Sequence, residues 1–182
     1  MNRLIQKHLP CTQLSPLGLL LYGFVALFWG CATPATFEGM VPTSFQTAKS
    51  HPQTVRVNVT GGQETVTVGR PQITNSAFTQ ALTELITKSR TFSRVVEDQS
   101  QKADYLLTVT LFSVDKRVFG RTVRMEAGWT LRRGDAGTVV WQESIISEHT
   151  DADIKLATEG AARNNIAQGL RKISKLNFQL TR

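Results

Sequence analysis

The sequence predicts an α+β domain in which a single, mostly antiparallel sheet carries two helices on one face. Three observations predict it: two segments with helical periodicity, several β-rich segments that alternate apolar and polar residues, and the order β-α-β-β-β-β-α. The alternation implies that one sheet face is buried while the other meets water or a partner. With about 150 residues after its N-terminal leader, the chain is long enough for one domain with one core.

The first half of the domain is predicted as strand, helix and strand. Residues 55–59 alternate β-branched and polar side chains, which predicts a half-buried strand. Residues 63–69 fit either a second short strand or a loop. Over 75–90 the apolar residues recur at i, i+4, i+7 and i+8, which predicts a helix with one buried stripe. Residues 92–96 predict another short strand.

The second half is predicted as a three-stranded antiparallel meander followed by a helix. The β-rich segments are 105–114, 122–132 and 139–147, and a Gly-Asp-Ala-Gly turn at 134–137 joins the last two. The segment 122–132 alternates most cleanly. A helix over 153–175 contains several small residues, so it can lie close to the sheet.

The outward-facing side chains of the second meander strand are candidates for a partner-binding surface. They are Arg124, Glu126, Thr130 and Arg132. Arginines on an exposed face could meet phosphate groups of lipid or lipopolysaccharide, whereas the glutamate among them fits cross-strand ion pairs equally well. This face, or an edge strand open to β-augmentation, is therefore the predicted site of contact with another molecule.

Signatures of enzymes and of metal sites are missing from the sequence. It contains no G-x-S-x-G, H-E-x-x-H or C-x-x-C motif and no phosphate-cradling glycine loop. A triad of Ser144, His149 and Asp151 would need an organising turn that the sequence does not provide. The polar residues at 148–153 fit a solvated loop before a helix better than a metal site. We therefore predict a non-enzymatic protein with no catalytic residue, no metal site and no cofactor.

The N-terminus carries an apolar run that ends at a cysteine. The run from Leu17 to Gly30 has 14 residues and follows the two positive charges Arg3 and Lys7. It suits the core of a signal peptide, because a membrane-spanning helix needs roughly 20 apolar residues. Cys31 follows directly.

Leu27, Gly30 and Cys31 resemble the lipobox of bacterial lipoproteins, although Leu27 stands one position earlier than in that pattern. The resemblance implies thioether lipidation of Cys31, cleavage before it, and acylation of the new amino terminus with a chain such as palmitate. Ala32 replaces the aspartate that retains lipoproteins at the inner membrane, so the resemblance implies the outer membrane, facing the periplasm. The alternative is an uncleaved signal anchor.

The chain is thus predicted to have three parts. Residues 1–30 form a signal peptide, 31–53 a lipidated N-terminus with a flexible tether rich in Thr, Ser and Pro, and 54–182 the periplasmic domain. The apolar residues of the tether could pack back on the domain; they are Phe37, Met40, Val41 and Phe45. The net charge of +7 falls to about +5 without the leader. Behind a lipoprotein signal, the membrane and an envelope protein are more accessible partners than nucleic acid, which we do not expect.

Five segments are similar to a group of small, mostly uncharacterised lipoproteins of Gram-negative bacteria. They are Val59–Gly62, Lys102–Tyr105, Met125–Leu131, Val140–Ile145 and Ala157–Ile166. That group brings no established activity. The element order also resembles the curli-secretion lipoprotein, the lipoprotein activators of penicillin-binding proteins, and the auxiliary lipoproteins of lipid-transport ABC systems. These resemblances imply a membrane-anchored accessory module of the cell envelope or, alternatively, a lipid- or glycan-binding carrier.

Overall fold

The computed structural model describes residues 34–63, 70–116 and 121–178, so the predicted leader and Cys31 lie outside the described residues. These residues form one five-stranded sheet in the order β2-β1-β3-β4-β5 and three helices, which confirms the α+β class. In chain order the elements are α1 (Phe37–Met40), β1 (His51–Thr60), α2 (Asn75–Ser89), β2 (Phe92–Val95), β3 (Tyr105–Lys116), β4 (Thr122–Arg133), β5 (Val139–Thr150) and α3 (Ile154–Ile173).

The sheet is mixed rather than mostly antiparallel. Strands β3, β4 and β5 form the predicted antiparallel meander, but β1 is parallel to both β2 and β3. Strands β1 and β2 are joined through helix α2, and such a helical crossover allows β2 to run in the same direction as β1. Val55 of β1 is in register with Val95 at the end of β2 and with Tyr105 at the start of β3. The connection 96–104 therefore only has to cross from one side of β1 to the other.

Arg56 holds this crossing in place. Its guanidinium donates to the carbonyl oxygens of Asp98 (3.0 Å) and Gln101. At the end of the connection, Asp104 Oδ2 accepts from the backbone N–H of Thr54 (2.7 Å) and from its hydroxyl (2.8 Å). These bonds explain the Lys-Ala-Asp-Tyr segment as a structural one.

The core lies between one face of the sheet and the helices. Trp129 and Met125 of β4 and Phe78 of α2 are fully buried there. The ring of Trp129 lies against Gly169 of α3, where a Cβ would come within 2.7 Å of the indole. Small residues in α3 thus allow the close approach that the sequence predicts. No helix among the described residues is long and apolar enough to cross a membrane.

Within the predicted tether, the apolar residues pack back on the domain, the alternative that the sequence left open. Residues 34–50 run over the helices, and α1 packs against both α2 and α3. Met40 is fully buried and belongs to the core. Strand β1 also begins earlier than expected, at His51 rather than Val55, because the His51 N–H donates to the carbonyl of Thr91 (3.0 Å) beside β2.

Candidate interaction surface

One face of the sheet is left uncovered by the described helices, and we call it the open face. The four predicted residues Arg124, Glu126, Thr130 and Arg132 all lie on it, because they alternate along β4 with the buried residues. Strands β3 and β5 flank β4 and add their own outward residues. Together the three strands contribute Leu106, Thr108, Thr110, Phe112, Arg124, Glu126, Gly128, Thr130, Arg132, Gln142, Ser144, Ile146 and Glu148.

The charged residues that β4 contributes to the open face have partners within the protein. Arg124 Nε lies 3.9 Å from Glu148 Oε1, and Glu126 Oε1 accepts a hydrogen bond of 3.0 Å from the Ser144 hydroxyl. Arg132 Nη1 donates to the carbonyl of Gly137 at 3.2 Å. A phosphate would have to compete with these partners. The arrangement therefore favours the cross-strand pairing that the sequence left open over a phosphate-binding patch.

Two apolar side chains on the open face were not singled out by sequence reasoning. Phe112 of β3 is 60% exposed and Ile146 of β5 is 47% exposed. The outer edge of the Phe112 ring lies against Gly128, where a Cβ would come within 2.5 Å of it. The alternation of residues along β3 could have identified Phe112, because it places this side chain on the outward face. Isolated exposed apolar residues are common on proteins, but an aromatic ring held across a neighbouring strand is a ready anchor for a partner.

The edge of β1 is partly open. Strand β1 continues to Thr60, whereas its pairing with β2 ends at Val55. A groove of about 840 Å³ lies beside the unpaired part. Val57 of β1 and Thr79 and Thr83 of α2 are among its lining residues. Among the described strands none fills this position, so a short extended peptide could pair here.

The opposite edge strand, β5, is already engaged by α3. The side-chain amide of Asn165 donates to the Ile145 carbonyl and that of Asn164 donates to the Glu148 carbonyl, both at 2.9 Å. Part of the hydrogen-bonding capacity of this edge strand is therefore used within the protein, which limits pairing with other chains.

The polar residues considered as an enzymatic triad do not come together. Ser144 lies on the open face, whereas the His149 ring lies against Gly160 of α3, on the other side of the sheet. Asp151 accepts a hydrogen bond from the backbone N–H of Asp153, whose own carboxylate caps α3. In the part of the chain that the structure describes, no three His, Cys, Asp or Glu residues are grouped so that they could hold a metal ion.

His51 is a buried histidine that the sequence analysis had placed in the tether. Its Nε2 lies 3.1 Å from the carbonyl oxygen of Ile173, and its ring packs against Phe178 and Phe92. Burial lowers the pKa of His51 from its usual value of 6.5, the hydrogen bond to Ile173 opposes this, and the positive charge of Lys49 lowers the pKa further. The neutral ring therefore serves packing at this end of the sheet.

Comparison with known proteins finds solved structures of similar fold but does not identify a family for the chain. No protein-family model and no curated protein matches the chain. A Xanthomonas campestris protein of the DUF330 family is similar in structure, with a TM-score of 0.52 and 12% identity over 73% of this chain and 90% of that one. The PelC dodecamer of Paraburkholderia phytofirmans gives a TM-score of 0.50 and 15% identity over 74% and 96%.

Lipoproteins also occur among the matched structures. One from Caulobacter crescentus gives a TM-score of 0.41 and 14% identity over 66% of this chain and 84% of that one. At such low identities a likeness does not transfer a function.

Proposed function

We propose that this chain is a lipid-anchored accessory protein of the bacterial cell envelope that binds another envelope protein through its open face. The lipobox-like sequence ending at Cys31 supports an anchor on the membrane. The periplasmic face of the outer membrane is its proposed location, since Ala32 follows the cysteine. Bacterial lipoproteins among the proteins of similar fold are in keeping with this setting.

The observation that carries the binding role is the pair of exposed apolar residues on a face whose arginines and glutamates have partners within the protein. Phe112 and Ile146 lie on the two strands that flank β4. Full burial of a completely exposed side chain of this kind contributes about 1.5–3 kcal/mol, and these two are roughly half exposed, so burying both would supply about 2–3 kcal/mol. Aromatic residues surrounded by polar ones are typical centres of protein interfaces. A protein surface is therefore the partner that this face fits best.

The geometry supports a non-enzymatic role over the two alternatives. Ser144 and His149 lie on opposite faces of the sheet, so they do not form a nucleophile and base. A lipid or glycan carrier would need an apolar cavity between the sheet and the helices. In the described residues that space is filled by side chains such as Trp129 and Leu131, both fully buried. The groove beside β1 is open to solvent and partly polar, so it does not provide such a cavity.

Photo-crosslinking in intact cells tests the binding role. A photoreactive amino acid at Ser144 samples the open face, and the same residue at Lys88, exposed on α2, is the control. We expect a discrete adduct from position 144 and none at the same mass from position 88. Phe112→Asp should abolish this adduct without unfolding the protein, because the ring is mostly exposed. Equal adducts from both positions, or an adduct unaffected by Phe112→Asp, would contradict the proposal.

The identity of the adduct decides what kind of partner is bound. An envelope protein supports the accessory role. An adduct with a second copy of this chain would instead make the open face a subunit interface; PelC, a protein of similar fold, is a dodecamer.

The anchor is tested separately with Cys31→Ser. The wild-type protein should fractionate with membranes and show an intact mass that corresponds to a lipidated chain beginning at Cys31. The variant should lose the lipid and the processing. An unprocessed wild-type chain with no added lipid would contradict the anchor and support a signal anchor instead.

A further inference from the structure

The N-terminal segment is fastened to α3 by two side chains, which we call the N-terminal clamp. Glu159 is only 3% exposed, and its Oε1 accepts hydrogen bonds of 2.9 Å from both the N–H and the hydroxyl of Thr36. One turn further along α3, Arg163 donates to the carbonyl of Gly39 from Nε (3.0 Å) and Nη2 (2.7 Å). Side chains of α3 therefore hold α1 at both ends, at Thr36 just before the helix and at Gly39 near its last residue.

The clamp is built into the packing of the domain. A Cβ at Gly39 would lie 2.0 Å from Glu159 Oε2, so the backbone of α1 lies directly against the carboxylate. Lys155 Nζ lies 3.8 Å from the same carboxylate and balances its charge. Ahead of α1, Ala35 is buried and its N–H donates to the Gln72 carbonyl at 3.2 Å. The chain is thus fixed from Ala35 onward.

This fixation leaves a very short connection to the proposed lipid anchor. Three residues, 32–34, separate Cys31 from Ala35. Each step of an extended chain spans at most about 3.6 Å, so the four steps reach about 14 Å. That is no more than the radius of gyration of a domain of this size, roughly 15 Å. A tether running to residue 53, as the sequence suggested, would have allowed about 80 Å at full extension.

We infer that the N-terminal clamp holds the domain directly on the bilayer that carries the acyl chains, with α1 and the first turns of α3 toward the lipid. This inference rests on the proposed lipidation of Cys31. Leu156 lies three residues before Glu159 on α3, and therefore on the same side of the helix as the clamp. Its side chain is 47% exposed. It is the apolar side chain placed to meet the lipid interface. The open face, on the far side of the sheet, then points toward the periplasm.

Single cysteines can report this orientation, since Cys31 carries the lipid and Cys11 leaves with the leader. Leu156→Cys and Ser144→Cys, each labelled with a fluorophore, would be compared in the processed lipoprotein. The vesicles would contain phosphatidylethanolamine, phosphatidylglycerol and a nitroxide-bearing lipid quencher. We expect strong quenching at position 156 and little at position 144.

Two variants separate the clamp from the anchor. Inserting 20 Gly and Ser residues between Thr33 and Pro34 keeps the clamp and lipid but adds roughly 25 Å of average reach. Quenching at position 156 should then fall to the level at position 144. Glu159→Ala combined with Arg163→Ala removes both side chains of the clamp and should lower quenching at position 156. Glu159→Gln alone retains an acceptor for Thr36 and should stay close to wild type. Circular dichroism verifies that each variant is folded.

The outcomes distinguish this inference from the proposed function. If the mature protein has lipid on Cys31 but positions 144 and 156 are quenched equally, or the insertion changes nothing, the orientation is wrong while the anchor stands. If mass spectrometry finds no lipid on Cys31, the anchor and the orientation fail together. Lipidation with selective, linker-sensitive quenching at position 156 supports both.

Discussion

Asn165 joins α3 to two strands through its side-chain amide, and replacing it with leucine should destabilise the domain strongly. Its Oδ1 accepts from Trp129 Nε1 at 2.9 Å, and its Nδ2 donates to the Ile145 carbonyl at 2.9 Å. Asn165 and Trp129 are both fully buried. Leucine would leave one donor and one acceptor without a partner in the core. At about 1–3 kcal/mol for each, the expected loss is about 2–6 kcal/mol of unfolding free energy.

Urea unfolding of the purified protein, followed by tryptophan fluorescence, measures this loss. Asn164→Leu is the matched control on the same helix, because Asn164 is exposed and its single bond to the Glu148 carbonyl can be replaced by water. We expect the control to change the unfolding free energy by less than about 1 kcal/mol. If both variants unfold at the same urea concentration with unchanged slopes, the buried amide does not act as argued.

Three further results are expected. First, the pKa of His51 is lowered from its usual 6.5, so below about pH 6.5 the unfolded chain binds more protons than the native one, and the unfolding free energy should fall as the pH decreases. This fall should be smaller in His51→Gln. Urea unfolding measured at several pH values in that range checks both expectations. Gly169→Ala should destabilise by about 1–3 kcal/mol in thermal unfolding, although Ala usually favours a helix, because the new Cβ would meet the buried Trp129 ring at 2.7 Å. The Ser144 photo-adduct should persist when the ionic strength is raised until the Debye length falls from about 10 to about 3 Å. The reason is that charges of the open face already have partners within the protein. Loss of the adduct in salt would point to a charged partner.

The meander and the longer helices could be predicted because their stability depends on a regular face. The predicted strand 122–132 is observed as Thr122–Arg133, and the predicted helix 75–90 as Asn75–Ser89. Each has one side buried along its whole length, so the hydrophobic period alone defines its ends to within a residue or so. The same alternation placed the four candidate residues of β4 on the open face.

Features that depend on distant contacts could not be predicted. The His-Pro-Gln sequence at 51–53 lacks alternation, and it becomes a strand because β2, some 40 residues later, pairs with it. Likewise α1 is held by Glu159 and Arg163, more than 120 residues away in sequence. At Phe112 the register of β3 shifts, so that Val114 turns toward the core beside Met125 instead of following Phe112 outward. A local pattern contains no information on such partners.

Several basic side chains have partners within the fold. Basic residues gather in the last turns of both long helices, where they offset the negative ends of the helix dipoles. Lys88 pairs with Glu84 at 2.5 Å, Lys172 with Glu143, and Arg171 lies 5.7 Å from the centre of the Phe45 ring. Phe112 and Ile146 of the open face are exposed apolar side chains outside the core, and that is why the partner is sought there.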